Sequence, residues 1–206
     1  TFSPHHHHVP ANRCTYNFGI TMGATFGVDL YALPDDGPAK RLTHFTLAGV
    51  HFSHDFAVTD RHAIFFFPPA YVPLLPVSTF SECSWKPERG TEVVIVPLDA
   101  PERIVRFRID PFLSLHFVNA FERAEEIVID YTHYATFDGL ERYMGGIANG
   151  AARGPLGSDV RRAIVDVARK TFRSEVLLAR PTEMPRVSPR VDARPHRYVY
   201  LAGFAG

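Results

Sequence analysis

Cysteine is nearly absent: Cys14 and Cys83 are the only two among 206 residues. Two thiols build no disulfide framework, so a small cross-linked secreted scaffold is excluded, and both read as buried or half-buried thiols in a reducing compartment. Charge of one sign is lacking too, since 22 basic residues face 22 acidic ones. Gripping a nucleic-acid backbone needs a surplus of Lys and Arg, so no nucleic-acid partner is expected. There is no run of 18 apolar residues, hence no transmembrane helix. No secretory signal stands at Thr1, and a cytoplasmic protein is the expectation. With hydrophobic residues at 46% and charged ones at 21%, composition excludes disorder, collagen and coiled coil.

Turn formers, phenylalanine and histidine are plentiful. The 14 Gly and 17 Pro favour many turns over long helices. Turns are expected at Asp35-Asp36-Gly37-Pro38, Pro87-Glu88-Arg89-Gly90, Asp138-Gly139 and Gly154-Pro155-Leu156-Gly157. Strand signals lie between them, at Val93–Val96, Ile104–Ile109, Ile127–Ile129 and Tyr198–Leu201. Residues 158–169 fit helix and strand alike, and the β-branched content of Ala163–Val167 favours strand. The most apolar stretch, Ile64 to Val77, contains Pro68, Pro69, Pro73 and Pro76, so it reads as a short strand entering an apolar loop. Many short strands with turns between them point to an all-β sandwich, barrel or propeller. Residues 1–150 carry 11 basic and 17 acidic side chains and residues 151–206 carry 11 and 5, so the two regions are expected to pair.

The 11 His are the first sign of a metal, because neutral imidazole is a ligand for iron, zinc and copper. His5, His6, His7 and His8 are consecutive. Side chains alternate along a strand, so at most two of them reach one metal from one side. His54 precedes Asp55 and an apolar run, a plausible ligand position where a loop enters a strand. His116 lies in FLSLHFVNAFE. His44, His51, His62, His133 and His196 lack comparable surroundings and read as structural. His5, His54 and His116 are 49 and 62 residues apart, far beyond zinc-finger spacing. Ligands so spaced must converge from separate structural units, as propeller blades allow. Spacing alone still favours three unrelated His.

Five stretches in order change that balance. FSPHHHHVP with YNFG opens the chain, followed by HDFAVTDRHAIFF, WKPERGTEVVIVP, FLSLHFVNAFE and EMPRVSPRVDARPHRYVY. Over nearly its whole length the sequence resembles the carotenoid cleavage oxygenases, which include apocarotenoid and lignostilbene oxygenases. The resemblance implies an all-β fold, a seven-bladed β-propeller with ferrous iron, Fe(2+), on its axis. Four His from separate blades hold that iron. By motif His5, after Phe2-Ser3-Pro4, matches the first ligand, with His6 the alternative because the His run blurs the register. His54 matches the second and His116 the third. Glu183 matches a Glu that hydrogen-bonds a ligand His, fixing its ring and strengthening its donor nitrogen.

On this resemblance residues 1–206 form one partial propeller domain of roughly three to four blades. The fourth His and a Glu expected ahead of His5 would lie beyond the chain. The piece alone is expected to be poorly soluble. The implied reaction is oxidative cleavage of a C=C bond in a carotenoid, apocarotenoid or stilbene-like substrate, giving two carbonyl products. Its partners are an apolar alkene and O2. Phe65 to Val77 is the expected tunnel wall or entrance, with peripheral membrane contact there. Leu115 stands where the family often has an aromatic. Two other readings stay open: retinyl-ester isomerisation and hydrolysis on the same fold, and a non-catalytic propeller module or inactive remnant that binds no metal.

Overall fold

The computed structural model describes residues 2–22, 25–73, 83–148, 150 and 157–203. Strands β1 (His7–Val9), β2 (Cys14–Met22), β3 (Phe26–Pro34) and β4 (Lys40–Leu47) form an antiparallel sheet in chain order. A second sheet runs β5 (Ala57–Val58), β6 (His62–Phe67), β9 (Thr91–Pro97) and β10 (Val105–Ile109). The small hairpin of β7 (Ala70–Tyr71) and β8 (Ser84–Trp85) is inserted between β6 and β9. A third sheet takes β11 (Phe117–Arg123), β12 (Glu126–Tyr134), β13 (Ser158–Asp166) and β14 (Thr171–Leu178), and β15 (Thr182–Arg186) pairs with β16 (Tyr200–Gly203). The same four-strand meander therefore occurs three times and begins a fourth, which is a partial β-propeller. The first strands of successive blades lie side by side, β1 on β5, β5 on β11 and β11 on β15.

The middle blade explains the continuous apolar runs. Ala63, Phe65, Phe67, Val94 and Val96 face the first blade, while Ile64, Phe66, Val93 and Ile95 face the third. A sheet covered on both sides needs apolar residues at every position, so IFFF and VVIV do not alternate. Phe65 stacks on Phe56 and Phe67 and meets the ring edges of Phe18 and Phe45. Polar side chains then tie the blades together. Glu122 on β11 accepts hydrogen bonds from Thr59, Arg61 and His62 of the second blade. Asn119 donates to the carbonyls of Val191 and Arg194 and accepts from the Ala193 N–H, which fastens the β15–β16 connection to β11.

Several sequence expectations meet their elements here. Residues 158–166 of the 158–169 segment are strand β13, and the runs at 93, 104 and 127 supply β9, β10 from Val105, and β12. The last strand starts at Tyr200, two residues after the expected start. Arg162 and Arg173, from the basic end, pair with Asp130 and Glu126. At Gly90, φ is 65° and an added Cβ would lie 2.5 Å from the Ile109 carbonyl, so the turn there needs glycine.

One expectation is corrected. Asp138-Gly139 does not turn the chain but opens α1 (Asp138–Ala148). The helix forms because Phe137 and Leu140, three residues apart, bury one face against Leu113, Tyr134 and Ala70. The Phe65 to Val77 segment begins with Phe65, Phe66 and Phe67 buried between blades. Residues 74–77 of that segment lie outside the described residues. Among the described residues no helix is long and apolar enough to cross a membrane.

Candidate metal centre

Each candidate His sits on the lead-in to a blade's first strand: His5 before β1, His54 before β5, His116 before β11. Because those strands are neighbours around one axis, the lead-ins converge. One ring nitrogen from each of the three lies within 4.8 Å of the others. The Nε2 atoms of His5 and His54 are 2.8 Å apart. Ring centroids are 4.5 Å apart for His5 and His54, 4.9 Å for His5 and His116, and 5.1 Å for His54 and His116. In the opening run the faces alternate. His5 and His7 turn inward, His6 is exposed, and exposed His8 meets Asp35 at 3.1 Å. The cluster therefore contains His5 and not His6.

Glu183 belongs to the fourth blade and reaches back to the third. Its Oε2 lies 2.6 Å from His116 Nδ1, and its Oε1 accepts the Tyr134 hydroxyl at 2.6 Å. Both Glu183 and His116 are buried. A backbone irregularity aims the carboxylate: the β15–β16 register slips after Glu183, and Met184 takes a φ of 54° with its N–H on Glu183 Oε2. Burial alone would raise the Glu183 carboxyl, but the hydrogen bonds from His116 and Tyr134 outweigh it and hold it below the usual range. A carboxylate can only accept, so His116 donates through Nδ1–H and keeps its Nε2 lone pair for a ligand. Burial pushes His5 down to about 4, with Asp55 opposing and the neighbouring His54 and His116 adding to the fall. His54 is likewise lowered, by burial and then by His116. These rings stay neutral at neutral pH, as metal ligands must.

The donor set fits a metal ion. Three neutral imidazoles suit iron, zinc, copper or nickel. Two nitrogens bound at about 2.0–2.1 Å and at right angles stand about 3 Å apart, close to the His5–His54 spacing. The other His have different partners. His7 faces Asp55, His44 faces Asp29, His62 faces Glu122, His133 faces Asp159 and His196 faces Asp130. His51 Nδ1 donates to the Pro68 carbonyl. Beside the cluster, Phe52 and Leu115 flank His54 and His116 in sequence and pack with Phe137, Leu140 and Tyr134, an apolar patch next to the ligands.

Sequence reasoning missed two contributors. Tyr134 gave no signal, because it ends an ordinary strand run. Ser3 was noticed only as part of a motif, yet its hydroxyl donates to the His54 carbonyl and accepts the His5 N–H, joining two lead-ins.

The chain is similar to several known oxygenases. The apocarotenoid-15,15'-oxygenase of Synechocystis sp. is 28% identical over 193 residues, covering 91% of this chain and 39% of that protein. Isoeugenol monooxygenase of Pseudomonas putida is 32% identical over 115 residues, 52% of this chain. The solved structure of cobalt-substituted Synechocystis apocarotenoid oxygenase superposes with a TM-score of 0.80 at 25% identity, over 97% of this chain and 44% of that one. The chain thus spans about two fifths of these Synechocystis relatives and forms part of a seven-bladed propeller. The family model for retinal pigment epithelial membrane protein matches residues 1–206, and the chain belongs to that family.

Proposed function

We propose that this chain supplies three of the four His of a non-haem Fe(II) dioxygenase that cleaves a C=C bond of a carotenoid, apocarotenoid or stilbene-like alkene. The observation that carries this reading is the convergence of His5, His54 and His116 from three blades, with Glu183 from a fourth on His116. Ferrous iron, when bound, supplies the dioxygen chemistry that breaks the bond. The chain's own residues do the rest. Three neutral imidazoles hold the ion without adding charge. Glu183 fixes the His116 ring and raises its donor strength, and Tyr134 holds Glu183 in place. Phe52 and Leu115, backed by the buried Phe137, offer an apolar surface along which an alkene lies while water is kept away. The two atoms of O2 end in two carbonyl products. A fourth His is expected from outside these residues, since no other His joins the cluster among the described ones.

The test uses the full-length protein. Iron content is measured by mass spectrometry, and products are followed under labelled O2 with a panel of alkenes. One iron per chain and labelled aldehydes are expected. His54→Ala and His116→Ala should lose both, and Glu183→Gln should weaken metal binding or activity by about 10–100-fold. Unchanged iron and turnover in His116→Ala would overturn the assignment and favour a metal-free binding module.

A further inference from the structure

Asp55 is buried, and none of its hydrogen bonds goes to a candidate ligand. Its Oδ1 accepts the Phe56 N–H at 2.8 Å and faces His7 Nε2 at 3.3 Å. Its Oδ2 accepts the Phe117 N–H at 2.9 Å. These contacts reach three blades. Asp55 directly follows His54, Phe117 directly follows His116, and His7 is two residues past His5. The carboxylate thus grips the chain beside each of the three candidate ligands. A buried ion pair adds little net stability, because desolvation offsets the attraction. A buried carboxylate that accepts backbone N–H groups from two blades does fix the distance between them.

We propose that Asp55 is a positioning residue for the metal centre, one carboxylate that sets the mutual register of His5, His54 and His116. Only a carboxylate meets this demand. It offers acceptor sites on both oxygens, whereas asparagine would turn an amide N–H toward one of two backbone donors. The side chain touches neither metal nor substrate, so its effect passes through the ligands. The inference rests on the metal-centre reading above.

The experiment uses the full-length protein with Co2+ as the probe. Its affinity and ligand-field absorption spectrum report ligand placement directly. Wild type, His54→Ala, Asp55→Asn, Asp55→Ala and His7→Phe are compared, each with a melting curve. In His7→Phe the phenyl ring preserves the edge contact that His7 makes with Phe56 and removes only the bridge to the first blade. Asp55→Ala should bind Co2+ about 10–100-fold more weakly with an altered spectrum, and kcat should fall with KM little changed. Asp55→Asn and His7→Phe should show smaller shifts in the same direction, with a melting temperature near wild type in His7→Phe and somewhat lower in Asp55→Asn. If Asp55→Ala does not fold, those two variants decide. Wild-type Co2+ affinity and spectrum in every folded Asp55 and His7 variant, with His54→Ala impaired, would overturn the role of Asp55. Failure of the metal-centre reading is distinguishable: wild type and His54→Ala would then bind Co2+ alike.

Discussion

His133 and His51 are buried imidazoles away from the metal cluster, and both are pushed below the ordinary 6.5. Burial is the main cause in each. At His133 the Arg161 charge adds to the fall, and Asp159 opposes it. In the unfolded chain these groups take up a proton near pH 6.5; in the fold they resist it. The unfolded state therefore binds more protons below pH 6.5, and stability declines as pH falls through that window. In the metal-free protein the melting temperature should drop between pH 7 and pH 5. His133→Phe, whose ring would sit beside Phe112 and Tyr131, should show a smaller drop than wild type over the same range. His5 and His54 also resist protonation, but they contribute equally to both proteins and cancel in the comparison. Identical drops would remove His133 as a contributor.

The middle blade carries the packing argument at the scale of elements. Phe65 is fully buried, and its ring meets four others. Phe65→Ala should destabilise the protein by about 3–5 kcal/mol in denaturant titration, because the sheet backbone cannot collapse into the gap. This blade was also the most legible in the sequence, since burial on both faces writes itself as unbroken apolar runs. In the first blade the Asp35–Pro38 turn and the opening His motif were legible, but none of its strands. Its strand β2 includes Asn17, Gly19 and Thr21, which interrupt the apolar signal; Asn17 is nonetheless buried, with its amide on the Ser3 carbonyl and the Phe18 N–H. Helix α1 was hidden for a related reason. Asp138-Gly139 has turn chemistry, and only contact with Leu113 and Tyr134 makes the helix worthwhile. The cluster itself was legible through motif resemblance. Spacings of this size carry no convergence signal until the blades are known. The His run left His6 as an alternative to His5 until the structure showed which one turns inward.

At the scale of the whole molecule, the described blades form an arc. Val176 and Leu177 on β14, Met184 on β15 and Tyr198 and Tyr200 near β16 are large apolar side chains left exposed. Among the described residues the β15–β16 sheet has only two strands, and its edges invite association with other strands. Residues 1–206 expressed alone should therefore self-associate, whereas a longer form that closes the ring should not. Light scattering after size exclusion would show this. A monomer with one cooperative unfolding transition would contradict it.

Placing the ligands on successive blade lead-ins also sets an order in time. A ribosome releases His5 first, then His54, then His116, and Glu183 only after the third blade is made. At about 5–20 residues per second, synthesis from His5 to Glu183 takes roughly 10–40 s. During that interval the nascent chain holds at most a partial set of imidazoles, and the carboxylate that orients His116 has not yet emerged. On the proposed metal-centre reading, capture of an ion by the full set of imidazoles is thus a late event in biogenesis.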